Sequence, residues 1–197
     1  RPRLEDGSVN KLADPRVRRA LSLAIDRQTI VDKVTRLKQP VARAFIPPGS
    51  IAGYEPPAQA GVDYDPEAAR NMLAEAGYPG GKGLTGLTIL YNTDGAHQTV
   101  AQQIKNLWQA ELGVIVSLEG VERGVFAERL RKGQFTVSRA GWFGDYPDPT
   151  TFLDKLQSAN GNNDGGWSNK TYDDLLKQAS GQREPAARLR SEERRGG

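Results

Sequence analysis

Between Leu87 and Leu118 the hydrophobic period changes twice, and this constrains the fold more than any other feature of the chain. Leu87, Ile89 and Tyr91 alternate as in a half-buried strand. From Ala96 to Leu112 the period lengthens, placing Val100, Ile104, Leu107 and Trp108 on one helical face, and Val114, Val116 and Leu118 then alternate again. A helix of that length between two strands rules out a hairpin, so the strands are predicted to be parallel neighbours with a right-handed crossover. The expected class is therefore α/β.

Other elements announce themselves by their ends. Asp14-Pro15 supplies a capping side chain and a proline at the first helical position, and Val17, Ala20, Leu21, Ala24 and Ile25 follow at helical spacing. Asp26 can cap a second short helix carrying Ile30, Val31, Lys33 and Val34. Asp65-Pro66 repeats the signal ahead of Ala69, Met72, Leu73 and Ala76, with Gly77 as the stop. Further helices are expected over Arg123–Arg131, Phe152–Leu156 and Tyr172–Ser180, and a strand at Phe135 and Val137. Between residues 38 and 62, Val41, Phe45 and Ile46 suggest a short strand leading into a loop stiffened by Pro47, Pro48, Pro56 and Pro57. Residues 1–12 read as a linker, 13–181 as a folded lobe, and 182–197 as a charged, marginally ordered tail with Leu189 as its large apolar residue. No repeat is visible.

Composition removes several function classes. The chain has no cysteine, which excludes disulfides, thiolate metal sites and cysteine nucleophiles, and one histidine, His97, which leaves little for a metal centre or triad. No metal and no cofactor are expected. With 27 basic against 24 acidic residues the net charge is +3, too mild for a nucleic-acid footprint. No run of about 18 apolar residues is present to span a bilayer. Gly80-Gly81-Lys82-Gly83 superficially suggests a phosphate loop, but Ala76 and Gly83 stand where that motif needs glycine and a hydroxyl residue, and the segment precedes a strand.

The richest segment runs from Arg139 to Pro149, where Trp142, Asp145, Tyr146 and Asp148 lie among glycines and prolines just after a predicted strand. Open α/β sheets place their ligand crevices at such strand ends. Three chemistries fit these residues. Asp145 among aromatic rings can meet an ammonium group. Asp145 and Asp148 can be paired carboxylates of a carbohydrate-active hydrolase. Asp145 can also simply cap a turn while Trp142 packs on the core. Taken singly, His97, Lys33 and Arg139 read as solvated or capping residues.

An ordered set of short motifs resembles one family. They are Asp14-Pro15-Arg16-Val17-Arg18-Arg19-Ala20 with Ala24-Ile25-Asp26-Arg27, Tyr64-Asp65-Pro66 with Leu73-Ala74-Glu75-Ala76-Gly77-Tyr78, Leu90-Tyr91-Asn92-Thr93, Trp108 with Leu112-Gly113-Val114, and Gly141-Trp142 with Asp145-Tyr146, Asp148-Pro149 and Phe152-Leu153. Together they resemble the extracytoplasmic peptide-binding proteins of ABC importers, solute-binding protein family 5, and specifically their C-terminal lobe. The resemblance implies a periplasmic-binding-protein-like lobe with a mixed sheet flanked by helices, a fragment or a one-lobed homologue. It implies a non-enzymatic, monomeric protein, periplasmic or lipid-anchored outside the cytoplasmic membrane, that captures a peptide and delivers it to a membrane permease. Asp145 would meet the peptide's amino terminus with Trp142 in the wall beside it, and Lys33, His97 and Arg139 would be the basic groups for its carboxylate. Other members of the family bind sugars, murein peptides, haem or nickel complexes, and Asp145 favours a ligand with a free amine.

Overall fold

The computed structural model describes residues 3, 4 and 7–181, and the expectation for the tail at 182–197 lies outside them. The chain divides into two compact units, one formed by Arg1–Gln39 with Asp63–Ala140 and the other by Pro40–Val62 with Gly141–Gly197.

The first unit begins with a short 3-10 turn, Lys11–Ala13, then helix α1, Pro15–Leu23. Asp14 caps α1 as expected, its carboxylate accepting from the Arg16 N–H at 2.8 Å. Val17, Ala20, Leu21 and Ala24 are buried. Asp26 caps α2, Arg27–Thr29, but the chain then widens into a π-helical turn, Ile30–Thr35, closed by the Arg36 N–H on the Val31 carbonyl and by a left-handed Arg36. Asp65 caps α3, Pro66–Glu75, through the Ala68 N–H at 2.9 Å.

The crossover unit follows: β1, Thr88–Asn92; α4, His97–Leu112; β2, Ser117–Val121; α5, Arg123–Lys132; and β3, Val137–Ser138. The strand order is β2-β1-β3. β1 is parallel to both neighbours, with Ile89 opposite Leu118 on one side and Val137 on the other. The α/β class with flanking helices thus stands, while the sheet is all-parallel among the described residues where a mixed one was expected. β2 also starts later than its alternation suggests: Val114 and Val116 are buried on the approach to it.

Two glycines let α4 end against the turn before β1. Gly113 closes α4 at φ +67, and a Cβ there would sit 2.5 Å from the Gly80 carbonyl oxygen; a Cβ on Gly81 would come within 2.7 Å of the Gly113 carbonyl. Any side chain at either position would push the two turns apart.

The second unit contains no strand among its described residues. The expected strand at Val41, Phe45 and Ile46 is replaced by bends and turns, in a segment where Pro40, Pro47 and Pro48 can donate no ladder hydrogen bond. Ile46 is still buried, in a core with Ile51, Tyr54, Phe152, Leu153 and Leu176. These come from the proline-rich loop, from the one-turn helix α6, Thr150–Leu153, and from α7, Lys170–Ser180, which Asn169 caps through the Tyr172 N–H. Trp142 and Tyr172 pack against this core.

Candidate functional site

In the first unit the carboxyl ends of the parallel strands gather charge. β3 is so short that Arg139 follows it directly, its N–H on the Leu90 carbonyl at 2.8 Å extending the ladder by one residue. His97, as the first residue of α4, stands on the β1 side of the same edge. Burial is the main cause holding the His97 imidazole below its ordinary value of 6.5, followed by Arg139; Asp94 opposes this and Arg123 reinforces it. His97 and Arg139 are therefore brought together. No ion pair among the described residues engages Arg139.

Two charges in this cluster were not singled out from sequence. Arg123 Nε donates to Asp94 Oδ2 at 3.0 Å, and Asn92 Nδ2 donates to the same oxygen at 2.9 Å. These bonds, Asn92 first and then Arg123, hold the Asp94 carboxyl below its usual range. Asn92 is 3% exposed, and its buried Oδ1 has no hydrogen-bond partner among the described residues. The signal for Arg123 was available: it opens α5 immediately after β2, the same strand-end logic that selected the segment from Arg139 to Pro149. Lys33 is exposed on the π-helical turn, where its charge acts on Asp26, and it is not among the charges acting on His97.

In the second unit Trp142 and Asp145 belong to one loop held by α6. The Trp142 indole N–H donates to the Thr151 carbonyl at 2.6 Å, and the Asp145 N–H donates to Thr151 Oγ1 at 2.8 Å. The ammonium of Lys155 lies 5.1 Å from the Trp142 ring centroid, within cation–π range. Lys155 is itself fixed by Asp164 at 3.0 Å and by the Asn162 carbonyl. The Asp145 residue is exposed, as are Phe143 and Tyr146.

Asp148 differs: its Oδ1 takes both the N–H and the hydroxyl of Thr150, at 3.0 and 2.5 Å, so its carboxylate stabilises the start of α6. A pocket of about 170 Å³ in this unit is lined by Val41, Arg43, Ile46, Glu55 and Pro56 among others, without Trp142 or Asp145. No cluster of three or more His, Asp or Glu able to hold a metal ion occurs among the described residues.

Comparison with known proteins shows the family of the chain. Residues 6–164 match the bacterial extracellular solute-binding proteins, family 5 Middle. The chain belongs to this family. It is 36% identical over 169 residues to the oligopeptide-binding protein OppA of Bacillus subtilis, covering 83% of this chain and 31% of that protein. It is 38% identical over 172 residues to the periplasmic murein peptide-binding protein MppA of Escherichia coli, covering 85% and 32%. Among solved structures, a periplasmic oligopeptide-binding protein of Borrelia burgdorferi superposes with a TM-score of 0.86 at 32% identity, covering 94% of this chain and 37% of that one. The family 5 chain described here thus spans about a third of the length of these relatives. None of its described helices is long and apolar enough to cross a membrane.

Proposed function

We propose that this family 5 chain is the ligand-contacting part of a peptide receptor for an ABC importer, acting outside the cytoplasmic membrane as a monomer without catalysis. Its ligand is a peptide with a free amino terminus, which it passes to a membrane permease. The observation that carries this reading is the Asp145 carboxylate, solvent-facing and unspent in capping, on a loop whose backbone and neighbouring indole are both fixed by Thr151. A fixed anion beside an aromatic wall suits an ammonium group. His97 and Arg139 supply the complementary chemistry for a carboxylate, and Lys33 is a further candidate for it. The names of the relatives support the ligand class: oligopeptides for OppA and murein peptides for MppA. The engagement of Asp148 by Thr150 weighs against a paired-carboxylate hydrolase.

The test is an NMR titration of the 197-residue chain with trialanine, with its N-acetyl form and with its C-terminal amide. Contacts from a third of a relative's length are expected to give a Kd of about 1 mM, about 4 kcal/mol. Removing one partner of an enclosed ammonium–carboxylate pair costs about 3–5 kcal/mol, because the other charge stays buried and unpaired. With Asp145 exposed, the preference for the free amine should be about fivefold, about 1 kcal/mol. Asp145→Asn should abolish that preference, and Arg139→Gln should abolish the preference for the free carboxylate. An Asp145→Asn variant that still favours the free amine removes Asp145 from the site.

A further inference from the structure

Thr151 touches the loop at three points, each with a different part of itself. Its carbonyl accepts the Trp142 indole N–H at 2.6 Å. Its hydroxyl accepts the Asp145 N–H at 2.8 Å. Its methyl lies against Gly144, where an added Cβ would be 3.1 Å from Thr151 Cγ2 and 3.2 Å from the Phe152 ring. The residue is 3% exposed and sits in the middle of α6, whose first turn is tied down by Asp148 and whose next two residues, Phe152 and Leu153, belong to the core. Because α6 is a single turn, its carbonyls lack a full set of helical partners, which leaves the Thr151 oxygen free for the indole.

These contacts make the two sides of the anionic site dependent on one side chain and one peptide unit. We propose that Thr151 is the positioning residue of the ammonium site: its hydroxyl sets where the Asp145 carboxylate stands relative to the Trp142 wall. This rests on the reading that Asp145 meets an amine. Phe143, 91% exposed, and Asp145, also exposed, show that beyond the Trp142 ring the loop is not held by burial of its own side chains. A loop of that kind keeps its geometry through hydrogen bonds to a rigid neighbour, and the hydroxyl of Thr151 supplies the one made by Asp145.

Thr151→Val keeps the shape and the methyl contact with Gly144 but leaves the Asp145 N–H without its acceptor. In the 197-residue chain, titrated with trialanine and its N-acetyl form, the preference for the free amine should fall from about fivefold to less than about twofold, and the Asp145 amide proton should move upfield without any ligand. Thr151→Ser, which restores the hydroxyl, should keep both at wild-type values. Thr151→Ala provides a second removal of the hydroxyl should the valine methyl disturb folding, with the same expected loss. Leu176→Val, which thins the same core away from the loop, should lower Tm and leave the preference intact, separating positioning from stability. If Asp145→Asn loses the preference while both Thr151→Val and Thr151→Ala retain it, the role of Thr151 is refuted and that of Asp145 stands. If Asp145→Asn retains it, the amine reading fails and the proposal for Thr151 falls with it.

Discussion

Removing the indole nitrogen of Trp108 should expose how the first unit closes its core. α1 ends at Leu23, and its last turn is tight: the Ala24 N–H bonds to Ala20 and the Ile25 N–H to Ser22, so no backbone donor among the described residues reaches the Leu21 carbonyl. Trp108, on α4 and 4% exposed, donates its Nε1–H to that carbonyl at 2.8 Å. Trp108→Phe leaves a buried carbonyl unsatisfied, costing about 1–3 kcal/mol, and trims the ring by an amount worth about 1–2 kcal/mol. The sum, about 2–5 kcal/mol, corresponds to a Tm loss of about 4–20 °C in a chain of this size. The unfolding of this unit can be followed through the proton resonances of His97, the sole histidine, which the substitution does not remove. Benzothienylalanine at position 108 keeps the bicyclic shape without the N–H and should retain the hydrogen-bond share of the loss. A Trp108→Phe Tm within about 2 °C of wild type would show that the Leu21 carbonyl does not depend on this donor.

Other perturbations test the packing and the charge cluster. Gly113→Ala combines a left-handed φ with a 2.5 Å approach to the Gly80 oxygen, whereas Gly95→Ala meets a left-handed φ of +58 with open space; urea unfolding should show the first costing at least about 2 kcal/mol and the second about 1. Because the folded His97 pKa lies below 6.5, the unfolded state binds more protons in that window, so this residue's contribution makes stability fall as pH drops through 6.5 and level off below the folded pKa. In NMR titrations Arg139→Gln should raise the His97 pKa and Asp94→Asn should lower it further; the opposite shifts would mean that these charges do not face the imidazole.

The anionic and basic candidates differ in how far a sequence can reveal them. Asp145 and Trp142 stood out because glycine, proline and aromatic residues concentrate just after a strand, and the structure fixes both to Thr151, a residue whose own alternation or spacing carries no signal. His97 and Arg139 were singled out by the family resemblance, but their shared field depends on Asp94 and Arg123, a pair that joins residues 29 positions apart. Lys33 shows the reverse: its role comes from the family resemblance alone, which says nothing of which charges surround it, and in the structure its charge acts on Asp26.

What the sequence determined by itself is what short-range physics determines. Asp14-Pro15 and Asp65-Pro66 start α1 and α3 because a carboxylate two or three residues away from a free N–H is a local event, and the change of period from Leu87 to Leu118 forces parallel strands because their connection is a helix. The tertiary structure decided the rest. The proline-flanked segment around Ile46 buries its apolar residue without forming a strand, and the Ile30–Thr35 turn widens to π geometry although its apolar spacing suits an ordinary helix. The Leu21 carbonyl finds its donor 87 residues away on Trp108, and a single threonine comes to hold both the indole and the backbone of the carboxylate beside it. Such contacts depend on which surfaces meet after the elements have formed, and neither period nor composition encodes that meeting.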